Sequence, residues 1–550
     1  MMLDKQIQLD GGGAIVKWLH AAGVKNIFSV SGGPINPVYR ACAKTGVQLV
    51  HARHEAAACY MAEANTRVKG EVGVAMVTLG PGVTNTITPA IVSNLAGTPL
   101  LIIGAQSATT SADKGAGMTF NVLPAMQAVT KWAARCTEAK RLPEYLDMAW
   151  RHIWAGRPGP VFLEVPTDIL HQLIDADPAT IATQTPVKPG RPGNCAGDIA
   201  AFEKIFSAAK RPVLILGDDV FFNPSERLQE AIEKHQLPFF TMRLARGSVD
   251  ENHDLWAGPA YTPCNSAMRQ ALAASDCVIL VGHHFEFDLE FGSGVGKDTK
   301  IIQVAGDQTI LHRNRRADVA INASAYHFIY ALAEAATGAF DAGWRDALIA
   351  KWNDEFKAQA GEDNAQGLHP INAIDAVTKA APDNTIYTTS HGNVDFWADA
   401  RLKIKAPGRY LRAGQSGTLG AEVPYGAGAS FADPQAPSIV FVGDGGVGFH
   451  VTELDTAERY GRAFIIVVLD DESWAAIALP QEMSYGETYE MALPRRDWAK
   501  LAEALGGQGY HAKTADEIGE AVKQAVASGK PAIIQVPVRS VISPYMEYIS

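Results

Sequence analysis

Two short apolar runs, Ser438–Gly443 (SIVFVG) and 463–469 (AFIIVVL), constrain the fold of this chain more than any other feature. Both are β-branched and uninterrupted, the pattern of parallel strands buried on both faces rather than of a half-exposed strand. They read as neighbours in one sheet. Between them Val451, Leu454 and Ala457 recur at helical spacing with charged residues opposite. The unit is therefore strand, glycine-rich turn, amphipathic helix, strand. Sheets of this kind take ligands beyond the carboxyl ends of their strands. At that point stands Gly443-Asp444-Gly445-Gly446, where glycine lets backbone N–H groups approach phosphate oxygens and the next helix offers the positive end of its dipole. Asp471 follows Asp444 by 27 residues, at the end of the second run. A hard cation such as Mg²⁺ takes oxygen ligands and shares them with phosphates, and Asp444, Asp471 and a backbone carbonyl near Ser473 can supply three. A Gly-Asp-Gly triplet by itself is an ordinary turn. The second acid at this spacing makes it more.

At 550 residues the chain has room for three or four domains, each with its own core. A formal net charge of −11 with no offsetting basic patch argues against nucleic acid or an acidic membrane surface as a partner. The first residues lack the charged and apolar regions of a signal peptide, and no apolar run reaches membrane length. Six scattered cysteines form no CxxC pair and no metal spacing, which points to reduced thiols and a cytoplasmic location.

Two breaks in composition divide the chain. Residues 171–197, rich in Pro, Thr and Gly, read as a linker. Residues 338–369 are charged and helical and lead into Pro370. The expected fold class is α/β, three consecutive domains with parallel sheets over 1–180, 195–337 and 366–550. The first and third share an alternation of strand and helix. In the middle unit Gly217-Asp218-Asp219 follows a strand as a nucleotide loop would, yet no G-x-G-x-x-G is present.

The acidic pair of the third domain resembles the thiamine diphosphate motif, a GDG followed about twenty-five to thirty residues on by Asn-Asn. Here the pair is Asp470-Asp471, which keeps the oxygen ligand and adds charge. In that family a glutamate of the first domain hydrogen-bonds the aminopyrimidine ring and favours its imino tautomer. Glu55, in Arg53-His54-Glu55-Ala56-Ala57-Ala58, matches it by motif; read by itself it is a helix-terminus acid. Gly80, Pro81 and Asn85, in the turn TLGPGVTN, resemble the family's segment beside the pyrimidine. The segment Gly414 to Gly420 resembles the loop that contacts the aminopyrimidine, with Gly417 in its turn and Leu419 as the wedge beneath the cofactor. Alone, Leu419 reads as core. His391, Gly392 and Asn393 stand where the family has a diphosphate-side turn, although His391 also reads as a surface histidine. The resemblance spans nearly the whole chain and implies thiamine diphosphate and Mg²⁺ held by Asp444, Gly445, Gly446, Asp471, Ser473 and Trp474. Glu55 is the implied catalytic acid, the middle domain is a candidate for FAD or ADP, and the implied assembly is a homodimer or homotetramer with sites across a subunit interface.

What surrounds the reacting carbon sets the activity, because the cofactor carries the chemistry. The first domain has no His-His pair of the pyruvate decarboxylase kind, and the stretch after Asp471 includes Ala476 and Ile477. Ser31, Gly32, Gly33 and Pro34 occupy the place where benzaldehyde lyase has a histidine. These six residues form the expected substrate pocket. With few groups to relay protons, the expected function is that of a C–C lyase or carboligase, similar to acetolactate synthase and acting on 2-keto acids or 2-hydroxy carbonyl compounds. Asp250 to His253 and Phe291-Gly292 look like short matches to 2-hydroxyacyl-CoA lyase or oxalyl-CoA decarboxylase, the alternative. A third reading is a protein that binds the cofactor without turnover. The tail at 543–548 either closes over a substrate or frays.

Overall fold

The computed structural model describes residues 9–174, 188–359, 361–365, 367–389 and 391–549. The first eight residues and most of the expected linker, 175–187, lie outside the described residues. Three six-stranded sheets, all parallel, follow one another along the chain. The first holds β1 (Asn26–Ser29), β2 (Gln48–His51), β3 (Gly73–Val77), β4 (Leu100–Gln106), β5 (Trp132–Arg135) and β6 (Pro160–Pro166), in the order β2-β1-β3-β4-β6-β5. The second holds β7 (Pro212–Leu216), β8 (Phe239–Thr241), β9 (Trp256–Pro259), β10 (Cys277–Val281), β11 (Lys300–Val304) and β12 (Val319–Ile321), in the order β9-β8-β7-β10-β11-β12. The third holds β13 (Ile386–Thr389), β14 (Tyr410–Arg412), β15 (Ser438–Gly443), β16 (Ile465–Asp470), β17 (Gln508–His511) and β18 (Ala532–Pro537), in the order β14-β13-β15-β16-β18-β17. The first and third sheets thus share one strand order. Their common alternation in sequence reflects a common topology.

The apolar runs form strands because both faces of each sheet are covered, so no polar residue is needed on either side. β15 and β16 pair directly, Ile439 opposite Ile465 through Gly443 opposite Leu469. The central strands of each sheet are almost wholly buried.

The two outer units of the chain are not independent bodies. One core runs from Phe28, Met61 and Phe162 of the first into Val423, Phe431 and Val468 of the third. Helix Glu55–Lys69 lies against helix Glu422–Ala432, and a Cβ on Gly428 would sit 2.6 Å from the backbone of Met61, so glycine sets how closely the helices approach. Within the first helix Arg67 donates to Glu63 at 2.6 Å, and across the seam the Tyr425 hydroxyl donates to the other Glu63 oxygen at 2.8 Å. Arg67 also donates to the carbonyl of Arg412. All of these side chains are buried. A buried pair of this kind adds little net stability but penalises any arrangement that leaves one member alone. The middle unit has its own core, and helix Ala342–Ala358 inserts Leu348 and Trp352 into it. That helix carries the middle unit past residue 337, where composition alone placed its end.

Candidate active site

Four adjacent strands of the third sheet deliver their carboxyl ends to one cavity of about 290 Å³. His391, Gly392 and Asn393 follow β13, and the loop with Gly417 and Leu419 follows β14. Gly443, Gly445 and Gly446 close β15, and Asp471, Ser473 and Trp474 follow β16. The strand order explains the convergence, since β14, β13, β15 and β16 are consecutive neighbours. Asp444 is buried within the β15 turn, and Leu419 is half-buried on the wall rather than in the core. Ala476 and Ile477 are also on the wall. Gly445 has a steric reason to be glycine: a Cβ there would lie 2.5 Å from the Trp474 ring. Segment 472–474 is itself pinned, with the Trp474 N–H donating to the Met491 carbonyl and the Leu493 N–H to the Glu472 carbonyl.

The electrostatics of this cavity fit a bound cation. Burial, then the neighbouring Asp471 and Asp470, push the Asp444 carboxyl up to about 8. Asp471 is raised to about 6, first by burial and then by Asp470, against hydrogen bonds from Ser540 and the Ser473 backbone. Asp444 Oδ1 is buried with no hydrogen-bond partner among the described residues. An unpartnered carboxylate oxygen beside a second acid is costly unless a cation or a proton neutralises it. His391 Nδ1 is likewise buried and unpartnered, and burial with Arg412 nearby lowers the histidine to about 3, so the ring is neutral. The residues present therefore suit Mg²⁺ and a diphosphate. Asp470, the other member of the pair, turns away from this task. Its carboxylate accepts from Gln535 Nε2 at 2.7 Å and from the Glu472 N–H at 3.3 Å.

The second cluster belongs to the first sheet. Glu55 begins a helix just after β2, the Gly80-to-Asn85 turn follows β3, and Ser31 to Pro34 follow β1. The strand order β2-β1-β3 makes these ends neighbours too. Asn85 Nδ2 donates to Glu55 Oε2 at 2.9 Å. A Cβ on Gly32 would strike the Thr78 hydroxyl at 2.3 Å. Gly80 has φ +65°, and a Cβ would lie 2.4 Å from the Met118 carbonyl, so only glycine fits before Pro81. Ser31 donates its N–H to His51 Nε2 at 2.8 Å. None of these residues lines the cavity of the third sheet in the same chain. Of the six residues expected to form a substrate pocket, Ala476 and Ile477 line this cavity and Ser31, Gly32, Gly33 and Pro34 do not.

Sequence reasoning missed Phe396 and left the tail at 543–548 open between closing over a substrate and fraying. Phe396, Tyr545 and Met546 also face the cavity. Helix Pro544–Ile549 does not fray: the Asn393 amide donates to the Val541 carbonyl at 2.6 Å, and its oxygen accepts the Ser543 N–H at 2.8 Å. Tyr545 stacks on Tyr261 of the middle unit and packs on Phe396 with ring centroids 4.0 Å apart. The aromatic and methionine content of the tail was the available signal.

In the middle sheet, Gly217 and Gly282 stand at the reversal of strand order, between β7 and β10, and a Cβ on Gly217 would meet that of His283 at 2.4 Å. Buried side chains converge there. His283 lies 2.8 Å from Glu286, Arg243 pairs with Glu286, and Asp218 lies 3.5 Å from His283. His283, His284 and Glu286 come close enough for a shared ion. The Arg243 guanidinium already occupies that neighbourhood, 3.2 Å from His283 Nε2.

Comparison with known proteins matches each unit separately. Residues 9–125 match the thiamine pyrophosphate enzyme N-terminal TPP binding domain, 199–332 the central domain, and 390–536 the C-terminal TPP binding domain. The chain is 28% identical over 574 residues to 2-hydroxyacyl-CoA lyase 2 of Bos taurus, covering 96% of this chain and 89% of that one. It is 29% identical over 550 residues to 2-hydroxyacyl-CoA lyase 2 of Mus musculus, covering 92% and 86%. It is 28% identical over 550 residues to a probable acetolactate synthase large subunit of Methanocaldococcus jannaschii, covering 96% and 92%. With the three domains in this order and the strand-end cavity between β14 and β16, the chain belongs to the thiamine pyrophosphate-dependent enzymes.

Proposed function

We infer that this chain is a thiamine diphosphate-dependent lyase or carboligase, breaking or making the bond between a carbonyl carbon and its neighbour in 2-keto acids or 2-hydroxy carbonyl compounds. The observation that carries the reading is the unpartnered Asp444 oxygen beside Asp471, in a cavity where Gly445 and Gly446 leave backbone open to a diphosphate. When bound, the cofactor supplies an electron sink for the carbon whose bond changes. Asp444, Asp471 and the Ser473 backbone hold Mg²⁺. The backbone of 445–446 and the turn at 391–393 orient the diphosphate. Leu419 supports the ring system from the wall. Glu55, fixed by Asn85, holds a proton at the pyrimidine ring. Trp474, Ala476, Ile477, Phe396 and Tyr545 exclude water from the reacting end, which strengthens every charge interaction inside.

Because Glu55 does not line the Asp444 cavity of its own chain, a working site would take its first-domain residues from a second copy. A homodimer is then the smallest active assembly. Similarity to proteins named 2-hydroxyacyl-CoA lyase 2 favours a second reading of the substrate, a 2-hydroxyacyl-CoA thioester. A non-catalytic role is disfavoured by the positioned Glu55–Asn85 pair. The test is a screen of pyruvate, benzoin-type hydroxyketones and 2-hydroxyacyl-CoA thioesters, with Mg²⁺ and thiamine diphosphate and with Glu55→Gln as control. Product identity assigns the branch, and equal rates in wild type and variant remove the catalytic reading.

A further inference from the structure

A cavity of about 410 Å³ opens at the opposite, amino end of the third sheet, where the middle and third units meet. It is lined by Thr385 and Tyr387 at the start of β13, by Phe356, and by Lys379, Lys403 and Arg409. Its charge is out of keeping with a chain of net −11. Five of its lining residues are Lys or Arg and two are Asp. Those two acids are committed: Asp375 takes both arms of Arg401 at 2.6 and 2.7 Å, and Asp383 takes Lys405 at 2.5 Å. Arg409 is paired with Asp433 at 2.7 Å.

Two cations remain. Lys379 and Lys403 make no ion pair among the described residues. Lys403 is half-buried, its ammonium 5.0 Å from the Phe356 ring centroid and 5.8 Å from that of Trp256. Burial lowers its pKa, and the charges of Glu251 and Asp250 return only part of what the ammonium has lost in water. Ring faces offset only part of that loss. The remainder is recovered when an anion arrives, and the low-dielectric wall strengthens the contact. Next to these cations the wall is apolar, with Phe356, Ala381, Pro382 and Tyr387, and the Phe356 ring also carries the Arg401 guanidinium 4.1 Å from its centroid.

We propose that this cavity is a second ligand site, distinct from the cofactor cavity, which takes a small organic anion. The charged end, a phosphate or carboxylate, meets Lys403 and Lys379, and an unsaturated body lies along Ala381, Pro382 and Tyr387. The proposal does not depend on the substrate of the cofactor site.

The probe is phenyl phosphate, titrated calorimetrically into the full chain saturated with thiamine diphosphate and Mg²⁺. Saturable binding is expected, weakened at least tenfold by Lys403→Met, which keeps the apolar stem, while cofactor affinity stays unchanged. On wild-type protein, phenyl phosphate is expected to protect Lys403 and Lys379 from acetylation as read by mass spectrometry. The labelling experiment decides the matter if Lys403→Met fails to fold. No saturable binding at millimolar probe, equal affinity in wild type and variant, or unchanged labelling of both lysines overturns the proposal.

Discussion

Asn85 holds Glu55 by a 2.9 Å amide-to-carboxylate hydrogen bond, so the acid at the start of its helix is aimed by a residue from the next strand end but one. Glu55→Gln keeps the shape and removes the exchangeable acid. Turnover is expected to fall about 10²-fold or more, the usual range for a positioned acid or base, with cofactor affinity nearly unchanged. Asn85→Ala leaves the acid but frees its rotamer, and a smaller loss in kcat is expected. Steady-state rates and cofactor titration separate the two.

The raised Asp444 and Asp471 carboxyls make the metal-free protein sensitive to alkali. Each binds its proton more tightly folded than unfolded, so the contribution is full below about pH 4, the ordinary carboxylate value. It is lost as pH rises through about 6 for Asp471 and about 8 for Asp444. The Tm without divalent ion is expected to drop across that window, and Mg²⁺ to restore it with release of protons. Asp444→Asn should flatten the metal-free profile. A flat wild-type profile would contradict the assignment.

Aspartate rather than asparagine at 471 adds negative charge at the ion. Asp471→Asn is expected to keep thiamine diphosphate binding while shifting the order of preference among Mg²⁺, Mn²⁺ and Ca²⁺, read from three parallel titrations. Identical curves for wild type and variant would remove the role given to Asp471.

Gly445→Ala places a Cβ 2.5 Å from the Trp474 ring, which must move. Diphosphate affinity is expected to fall at least tenfold. Any change of Trp474 emission on cofactor binding should shrink with it, measured by fluorescence titration.

Asn393→Ala removes two of the hydrogen bonds that hold the tail and leaves Trp397 Nε1 on the Val541 carbonyl at 3.1 Å, at a cost of about 1–3 kcal/mol. Faster hydrogen exchange at 541–546 and earlier proteolytic cleavage there are the expected signs.

Much of this site was legible because its chemistry sits at strand ends, and buried parallel strands announce themselves as apolar runs. Ser438–Gly443, Cys277–Val281 and Ile386–Thr389 stand where those runs end. Asp444 and Asp471 were legible for the same reason. The Glu63–Arg67–Tyr425 cluster was not, since its meaning lies in a contact between helices more than 350 residues apart. For Tyr545 and Met546 the sequence left closure over a substrate and fraying both open, because a short C-terminal helix carries no spacing that says what it covers. That the first-domain acid does not line the third-domain cavity of its own chain depends on how whole sheets are placed, which no local pattern encodes.

The helix seam closed by Arg67 and Tyr425 has a genetic corollary. It fixes one chain's Glu55 relative to a cavity that Glu55 does not line, so in the proposed dimer damage to either would leave the other ready for use. In the proposed homodimer, one chain bearing Glu55→Gln and the other Asp444→Ala would put both lesions in one site and leave the other wild type throughout. Two dead alleles, co-expressed, would rescue each other.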